Sequence, residues 1–236
     1  MYMNFFSTAK LHYTISPEPN KHLFRVHLRI AGSHLAGVRL FLPNWIAGSY
    51  MIRDFARHIT QISAFDDSGK AIKLTPVNQF TWQSAAFEHN LHVVYDVFAH
   101  DPSVRTAFLN GDTGFFNATS VCLSIAQHAE KPHALTILAP HTNHEPWQIA
   151  TQLTRAEHTE PRAFGDYWAK NYDELADRPV RMGPMRFLDF EAMGTAHSIA
   201  ISGAFDSLNA DQLIQDVRKI CAEQIRMFAT DDGAPP

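Results

Sequence analysis

The alternation of apolar and polar residues is clearest over Leu23–Ile30. Every second residue there is apolar, and the residues between them are arginine or histidine. This period of two is typical of a strand that buries one face. Similar runs predict further strands at Val38–Leu42, Ile59–Phe65, Ile72–Leu74, Gln79–Trp82, Leu91–Phe98, Ser120–Ile125 and Ala134–Leu138. Asp66–Gly69 reads as a turn between two of them, and many short strands with few helices indicate a sandwich or barrel.

The pattern changes near residue 170. Pro140–Pro161 reads as a loop-rich passage, and two more strands are expected at Met185–Phe190 and Ser198–Ile201. One helix is predicted over Asn209–Phe228, because Asn209 is a good N-cap residue and Gln212 follows three positions later. Apolar residues then recur at helical spacing and form one stripe: Leu213, Val217, Ile220, Cys221 and Phe228.

Two strands and one amphipathic helix make a poor core on their own. We therefore expect a β-sandwich N-terminal domain over residues 1–170. The start of a second domain is expected over 171–236, where the sequence stops early. The uncovered stripe of the helix predicts homo-association or a frayed C-terminus.

Composition and charge restrict the function classes. The chain has 236 residues, a net charge of -4 and no basic run, which argues against nucleic acid or an anionic membrane surface as a partner. We see no signal-peptide pattern and no apolar run of the roughly 20 residues that span a membrane. Cys122 and Cys221 are expected to be small core residues without a disulfide, so a cytoplasmic location is expected.

No complete catalytic motif is present. The only His-Glu dipeptide, His144-Glu145, continues into Pro146 and lacks a second histidine, so the zinc-binding H-E-x-x-H is absent. The spacings His141/His144 and His89/His92 offer weak metal candidates, with surface histidines as the alternative. Gly48-Ser49-Tyr50 resembles part of a nucleophile elbow that is not completed. No catalytic or metal-ligating residue is therefore assigned.

Two segments are rich in aromatic and arginine residues, namely 42–58 and 103–119. Such residues on connections between strands can line a substrate cleft. In the alternative interpretation, Arg53 and Arg57 pair with Asp54 or nearby carboxylates. The aromatic residues Trp45, Tyr50 and Phe116 then belong to the core.

These segments carry a family resemblance. L-P-N-W-I-A-G-S-Y-M-I-R-D-F-A-R-H-I, V-R-T-A-F-L-N, G-F-F-N-A-T-S and Y-D-E-L-A-D-R-P-V-R-M-G-P together resemble the glycyl aminopeptidase family of zinc metallopeptidases, whose members often end in a PDZ domain. The resemblance extends from Tyr13 to Phe228. Ala47, Ala118 and Arg181 depart from the usual proline, glycine and acidic residue of the family.

The resemblance implies a β-sandwich like the N-terminal domain of aminopeptidase N, followed by the first strands and helix of a truncated thermolysin-like α/β domain. It implies a parent enzyme that uses zinc to remove N-terminal glycine or alanine from peptides, with this portion inactive alone. It also places Tyr50 and Asn117 near the N-terminal side of the peptide substrate. Two alternatives remain: a stand-alone β-sandwich module that binds peptide or carbohydrate, and a hydrolase with an unrecognised triad.

Overall fold

The structure is a computed structural model that describes residues 9–141, 146–203 and 207–228. It is mainly β, with 43% strand and 18% helix. The strands are β1 (Leu11–Glu18), β2 (Leu23–Ala31), β3 (Arg39–Phe41), β4 (Ile59–Phe65), β5 (Leu74–Asn78), β6 (Thr81–Ser84), β7 (Asn90–Phe98), β8 (Ala107–Leu109), β9 (Gly114–Phe116), β10 (Ser124–Ile125), β11 (His133–Ile137), β12 (Gln148–Thr151), β13 (Thr154–Arg155), β14 (Gly165–Ala169), β15 (Val180–Gly183), β16 (Arg186–Ala192) and β17 (Thr195–Ile201). The helices are α1 (Ala118–Val121), α2 (Tyr172–Asp177) and α3 (Ala210–Phe228), with 3-10 turns at Pro19–Lys21, Phe55–His58 and Ala126–His128.

The largest sheet has seven strands in the order β13-β14-β11-β1-β2-β7-β4. Its neighbours are antiparallel except for β1 and β11, which run parallel. Because side chains alternate across a strand, one face of β1, β2 and β7 is fully apolar and buried. The opposite face carries histidine, arginine, threonine and aspartate.

Two smaller sheets complete the core of this unit. Their orders are β10-β3-β6-β5 and β12-β15-β9-β8. Buried residues of all three sheets form one apolar cluster, and the rings of Phe24 and Phe116 meet edge to face at 5.3 Å. The β-sandwich expectation is therefore confirmed for this part of the chain.

Three buried tyrosines fix the segment that follows α1. The hydroxyl of Tyr95 donates to the Val121 carbonyl at 2.8 Å and accepts the Leu123 N–H at 3.0 Å. Tyr13 donates to the Leu123 carbonyl and Tyr172 to the Cys122 carbonyl, each at 2.8 Å. These bonds satisfy backbone groups of a buried, irregular stretch that would otherwise be costly to desolvate.

The chain divides into two compact units, Met1–Gly183 and Pro184–Pro236. The predicted boundary at residue 170 differs from this division, because α2 and β15 make their contacts within the first unit. The second unit consists of the β16–β17 hairpin and α3, and Arg218 Nε donates to the Glu191 carbonyl at 3.1 Å. In the part of the chain that the structure describes, no helix is long and apolar enough to cross a membrane.

Several predicted elements are confirmed and two predictions are wrong. The strands expected at Leu23–Ile30, Ile59–Phe65 and Leu91–Phe98 are present as β2, β4 and β7. Ser120–Ile125 does not form a single strand, since its first half lies in and just after α1. Ile72–Leu74 is not a strand either, since β5 only begins at Leu74. The described part of Pro140–Pro161 is loop-rich as expected and contains two short strands, β12 and β13.

Candidate functional site

The connection between β3 and β4 is organised around Ser49, which is only 6% exposed. Its Oγ accepts hydrogen bonds from Arg53 Nε at 3.0 Å and from the Met51 N–H at 3.3 Å, and it donates to the Met51 carbonyl at 3.1 Å. The Trp45 indole N–H donates to the Ser49 carbonyl at 2.6 Å. The backbone turns at Gly48, whose φ of 76° favours glycine. Local hydrogen bonds therefore hold this loop in one shape.

The same loop presents apolar side chains to solvent. Tyr50 is 105% exposed, Met51 63%, Ile52 60% and Trp45 51%. We call these four residues the apolar tip. Large apolar groups clustered on one exposed loop mark a contact surface more often than single exposed residues do. The apolar tip is therefore the leading candidate for a surface that meets a ligand or another part of a protein.

Asn117 has a definite structural role as the N-cap of α1. Its Oδ1 accepts the Thr119 N–H at 3.0 Å and the Thr119 hydroxyl at 2.6 Å. The Asn117 backbone carbonyl accepts a hydrogen bond from the Ser120 hydroxyl at 2.7 Å. Within the described residues, the side-chain amide group Nδ2 donates no hydrogen bond. The half-buried Nδ2 group can therefore donate to a ligand, whereas Oδ1 is already occupied by Thr119.

The two segments that the sequence singles out lie side by side. The 3-10 turn Phe55–His58 packs against α1, and Phe55 and Ala56 are buried there. A pocket of about 350 Å³ opens next to this turn, lined by Asp54, Ala56, Arg57, Gln79 and Phe80. No hydrogen bond joins Tyr50 to Asn117 among the described residues. Their segments share one region of the first unit, and the structure shows no direct contact between the two side chains.

The core assignments for the aromatic residues were right only for Phe116, which is fully buried. Trp45 and Tyr50 are exposed instead, because the loop satisfies its polar groups internally and turns its apolar side chains outward. The predicted pairing of Arg53 and Arg57 with carboxylates is also wrong in the described structure. Arg53 binds the Ser49 hydroxyl, and Arg57 Nε donates to His58 Nε2 at 3.1 Å.

The weak catalytic candidates find no support in the geometry. Ser49 is hydrogen-bonded to an arginine and to backbone atoms, and among the described residues none of its partners is a histidine base. His89 and His92 do not form a pair. His92 Nδ1 lies 2.9 Å from Nε2 of His27, which is on the neighbouring strand. His144 lies outside the described residues, so the pair with His141 cannot be placed.

Burial makes the thiol of Cys122 unreactive. The residue is fully buried, and this desolvation raises the pKa of the thiol far above its ordinary value. A thiol that stays protonated is a poor nucleophile. Cys122 therefore acts as the small core residue that the sequence predicts, and Cys221 is a half-buried free thiol.

Residues 12–184 match the peptidase M61 N-terminal domain family. The chain belongs to this family. The match covers the first unit almost completely, including both site segments. The matched range contains all four sequence blocks that carry the resemblance to a zinc aminopeptidase.

The M61 N-terminal domain is also similar to a solved structure, an aminopeptidase N family protein from Idiomarina loihiensis. The two share 36% sequence identity with a TM-score of 0.86, over 92% of this chain and 36% of that protein. The chain therefore spans about a third of the length of that relative.

A second solved structure, an M1 zinc metallopeptidase from Deinococcus radiodurans, shares 10% identity with a TM-score of 0.43. It covers 86% of this chain and 50% of that protein. A TM-score at that level does not establish a common fold. No curated protein matches the sequence significantly.

The described residues do not fit a catalytic zinc ion. Across residues 9–141, 146–203 and 207–228, no group of three or more histidine, cysteine, aspartate or glutamate side chains is placed to hold a metal. A catalytic zinc site uses three protein ligands and a water. No step of a zinc-dependent reaction is therefore assigned to these residues.

Proposed function

We propose that this M61 N-terminal domain is the non-catalytic N-terminal portion of a zinc aminopeptidase that removes glycine or alanine from the N-terminus of peptides. The observation that carries the proposal is the 36% identity to the Idiomarina aminopeptidase N family protein over 92% of this chain. Because the chain spans only 36% of that relative, the zinc and the general base belong to the rest of the longer protein. Residues 1–236 alone are then inactive.

We further propose that Tyr50 and Asn117 border the N-terminal side of the peptide. Tyr50 carries a hydroxyl and a fully exposed ring at the apolar tip. Asn117 keeps its amide N–H groups available while its oxygen caps α1. Tyr50 offers a flat apolar surface with a polar end, and Asn117 offers N–H donors for a peptide carbonyl. Both properties suit the recognition of a short peptide.

Steady-state kinetics of the longer enzyme with glycyl and alanyl anilides test these two roles. Asn117→Ser keeps an oxygen that caps the helix but removes the amide donors, so a kinetic effect is separable from unfolding. We expect Tyr50→Phe and Asn117→Ser each to lower kcat/KM by roughly 3- to 10-fold, the value of one lost neutral hydrogen bond. Thermal unfolding of both variants is expected to match the parent.

The matched control is Leu35→Ala, because Leu35 is 86% exposed on a different loop. This change is expected to leave kcat and KM unaltered. Unchanged kinetics in both Tyr50→Phe and Asn117→Ser would remove these residues from the substrate site while leaving the family assignment intact.

We also propose a cytoplasmic location, because Cys122 and Cys221 are both free and a reducing compartment keeps thiols in that state. Fractionation of the source cells tests this directly. Recovery of the protein from an exported fraction contradicts it.

A further inference from the structure

Two histidines meet on the polar face of the seven-stranded sheet. His27 of β2 pairs in register with Val94, and His92 of β7 pairs with Arg29, so the two histidines are diagonal neighbours on adjacent strands. His27 Nε2 lies 2.9 Å from His92 Nδ1. The His92 side chain is 16% exposed, so the pair can be reached from solvent.

The neighbours of His92 fix which of its ring nitrogens carries a lone pair. Asp67 Oδ1 lies 3.0 Å from His92 Nε2, and a carboxylate accepts hydrogen bonds, so Nε2 carries the proton. Asn90 Nδ2 donates to both oxygens of Asp67 at 3.0 Å and holds the carboxylate in place. The lone pair of His92 is therefore on Nδ1, the atom that faces His27.

Stacking further orients the pair. The ring of Phe65 lies on the ring of His92 with centroids 5.3 Å apart and planes at 12°, and it also stacks on His27 at 6.3 Å. A ring nitrogen that carries a lone pair is the form that binds a metal.

The 2.9 Å between the two nitrogens is the length of a hydrogen bond, and two ligands of one metal ion can lie at a similar distance. With metal–nitrogen bonds of about 2.0–2.1 Å, two ligands at a right angle are separated by roughly 2.9 Å, and two at a tetrahedral angle by roughly 3.3 Å. The right-angled arrangement is that of tetragonal copper(II) or nickel(II) sites. To bind one ion in place of the shared proton, each ring would have to turn by roughly 45° so that both lone pairs point at the ion, and the His27 proton would have to move to its Nδ1.

We propose that His27 and His92 form a two-histidine site for a tetragonal divalent metal of the copper(II) class, with water in the remaining positions. Asp67 supports the site by accepting the proton of the ligand His92, an arrangement that orients metal-binding histidines in many proteins.

A second close pair of histidines serves as an internal comparison. His34 Nε2 and His128 Nε2 are 3.2 Å apart. Lys10 lowers the pKa of both imidazoles, after the larger effect of burial, and no carboxylate is hydrogen-bonded to either ring in the described residues. A positive charge beside the pair opposes a metal cation. Arg29 also lies near the first pair, but there the Asp67 carboxylate is hydrogen-bonded to His92.

Titration of the chain with Cu²⁺ against a competing chelator at pH 7 tests the proposal. We expect one saturable site that His27→Gln or His92→Gln abolishes, with folding checked by circular dichroism. Asp67→Asn is expected to weaken binding 10- to 100-fold, as loss of a supporting carboxylate usually does. His34→Gln is the control and is expected to bind like the parent chain.

A spectroscopic measurement on the parent chain needs no variant, so its result does not depend on whether a variant folds. Electron paramagnetic resonance of the Cu²⁺ complex is expected to show a tetragonal signal with coupling to two imidazole nitrogens. The proposal is overturned if His27→Gln and His92→Gln both bind Cu²⁺ like the parent, if the site is lost in His34→Gln, or if the spectrum shows no imidazole nitrogen.

Discussion

His133 on β11 is a fully buried side chain that can be charged. Its Nδ1–H donates to the Lys131 carbonyl at 2.6 Å, and its ring stacks on Tyr13 with centroids 5.9 Å apart. Within the described residues, Nε2 has no hydrogen-bond partner. Burial lowers the pKa of His133 from 6.5 to about 4, so the side chain is neutral at pH 7.

This environment makes the fold sensitive to acid. The unfolded chain binds the proton at about pH 6.5, and the folded chain only near pH 4, so stability is complete above pH 6.5 and declines as the pH falls toward 4. A difference of this size corresponds to roughly 3 kcal/mol of unfolding free energy. Urea unfolding between pH 4 and 7 measures it.

The comparison variant is His133→Phe, which keeps an aromatic ring but cannot titrate. We expect the unfolding free energy of His133→Phe to decline less between pH 6.5 and 4 than that of the parent chain. Part of the pH dependence remains, because burial also lowers the pKa of other histidines, such as His12, His27 and His128. Equal acid slopes for the parent chain and His133→Phe would contradict the role given to this burial.

At the scale of the elements, periodicity predicts strands well where one face is buried and the other is polar. β2 and β7 alternate in this way, and both were predicted. The same alternation occurs in β1, where four buried positions alternate with four half-buried ones, so this strand could also have been predicted. The short strands β8, β9 and β13 have two or three residues, which is too few to show a period.

The segment after Asn117 shows where local pattern misleads. Ser120–Ile125 is apolar and looks like a strand, yet Asn117 caps a turn of helix there and Tyr13, Tyr95 and Tyr172 bind the carbonyls that follow. Those tyrosines come from distant parts of the chain. Tertiary hydrogen bonds of this kind cannot be inferred from the spacing of residues along one segment.

α3 agrees with its prediction in extent and in its cap. The Gln212 N–H donates to Asn209 Oδ1 at 3.1 Å, but the Gln212 side chain binds Asp216 and does not complete a capping box. No residue of α3 is fully buried, and Ile220, Met227 and Phe228 are 57%, 72% and 66% exposed. The homo-association expected from this stripe stays a prediction.

Sedimentation velocity over a range of concentrations tests the association through α3. We expect residues 1–236 to form dimers or larger species and Ile220→Lys to shift them toward monomers. Gln224→Lys adds the same charge at an exposed polar position of α3 and is the control. A monomer at every concentration, or equal effects of the two lysine substitutions, would exclude association through the apolar stripe.

At the scale of the whole molecule, the first unit presents a loop whose shape is held by its own hydrogen bonds. The apolar tip depends on Ser49 and Gly48 inside the loop, and the neighbouring turn depends on packing against α1. Sequence motifs identified both segments and the family, because glycine, asparagine and serine at fixed positions shape loops. They did not reveal that Trp45 and Tyr50 point outward, since exposure depends on what the rest of the fold covers.

The most direct test of the central claim compares residues 1–236 with the product of the complete reading frame. Both are assayed on glycyl and alanyl anilides with added Zn²⁺. We predict turnover by the longer protein only, with glycine and alanine preferred over larger N-terminal residues. Turnover by residues 1–236 would place the catalytic groups inside this chain, and an inactive longer protein would favour a binding module; either result would contradict the account.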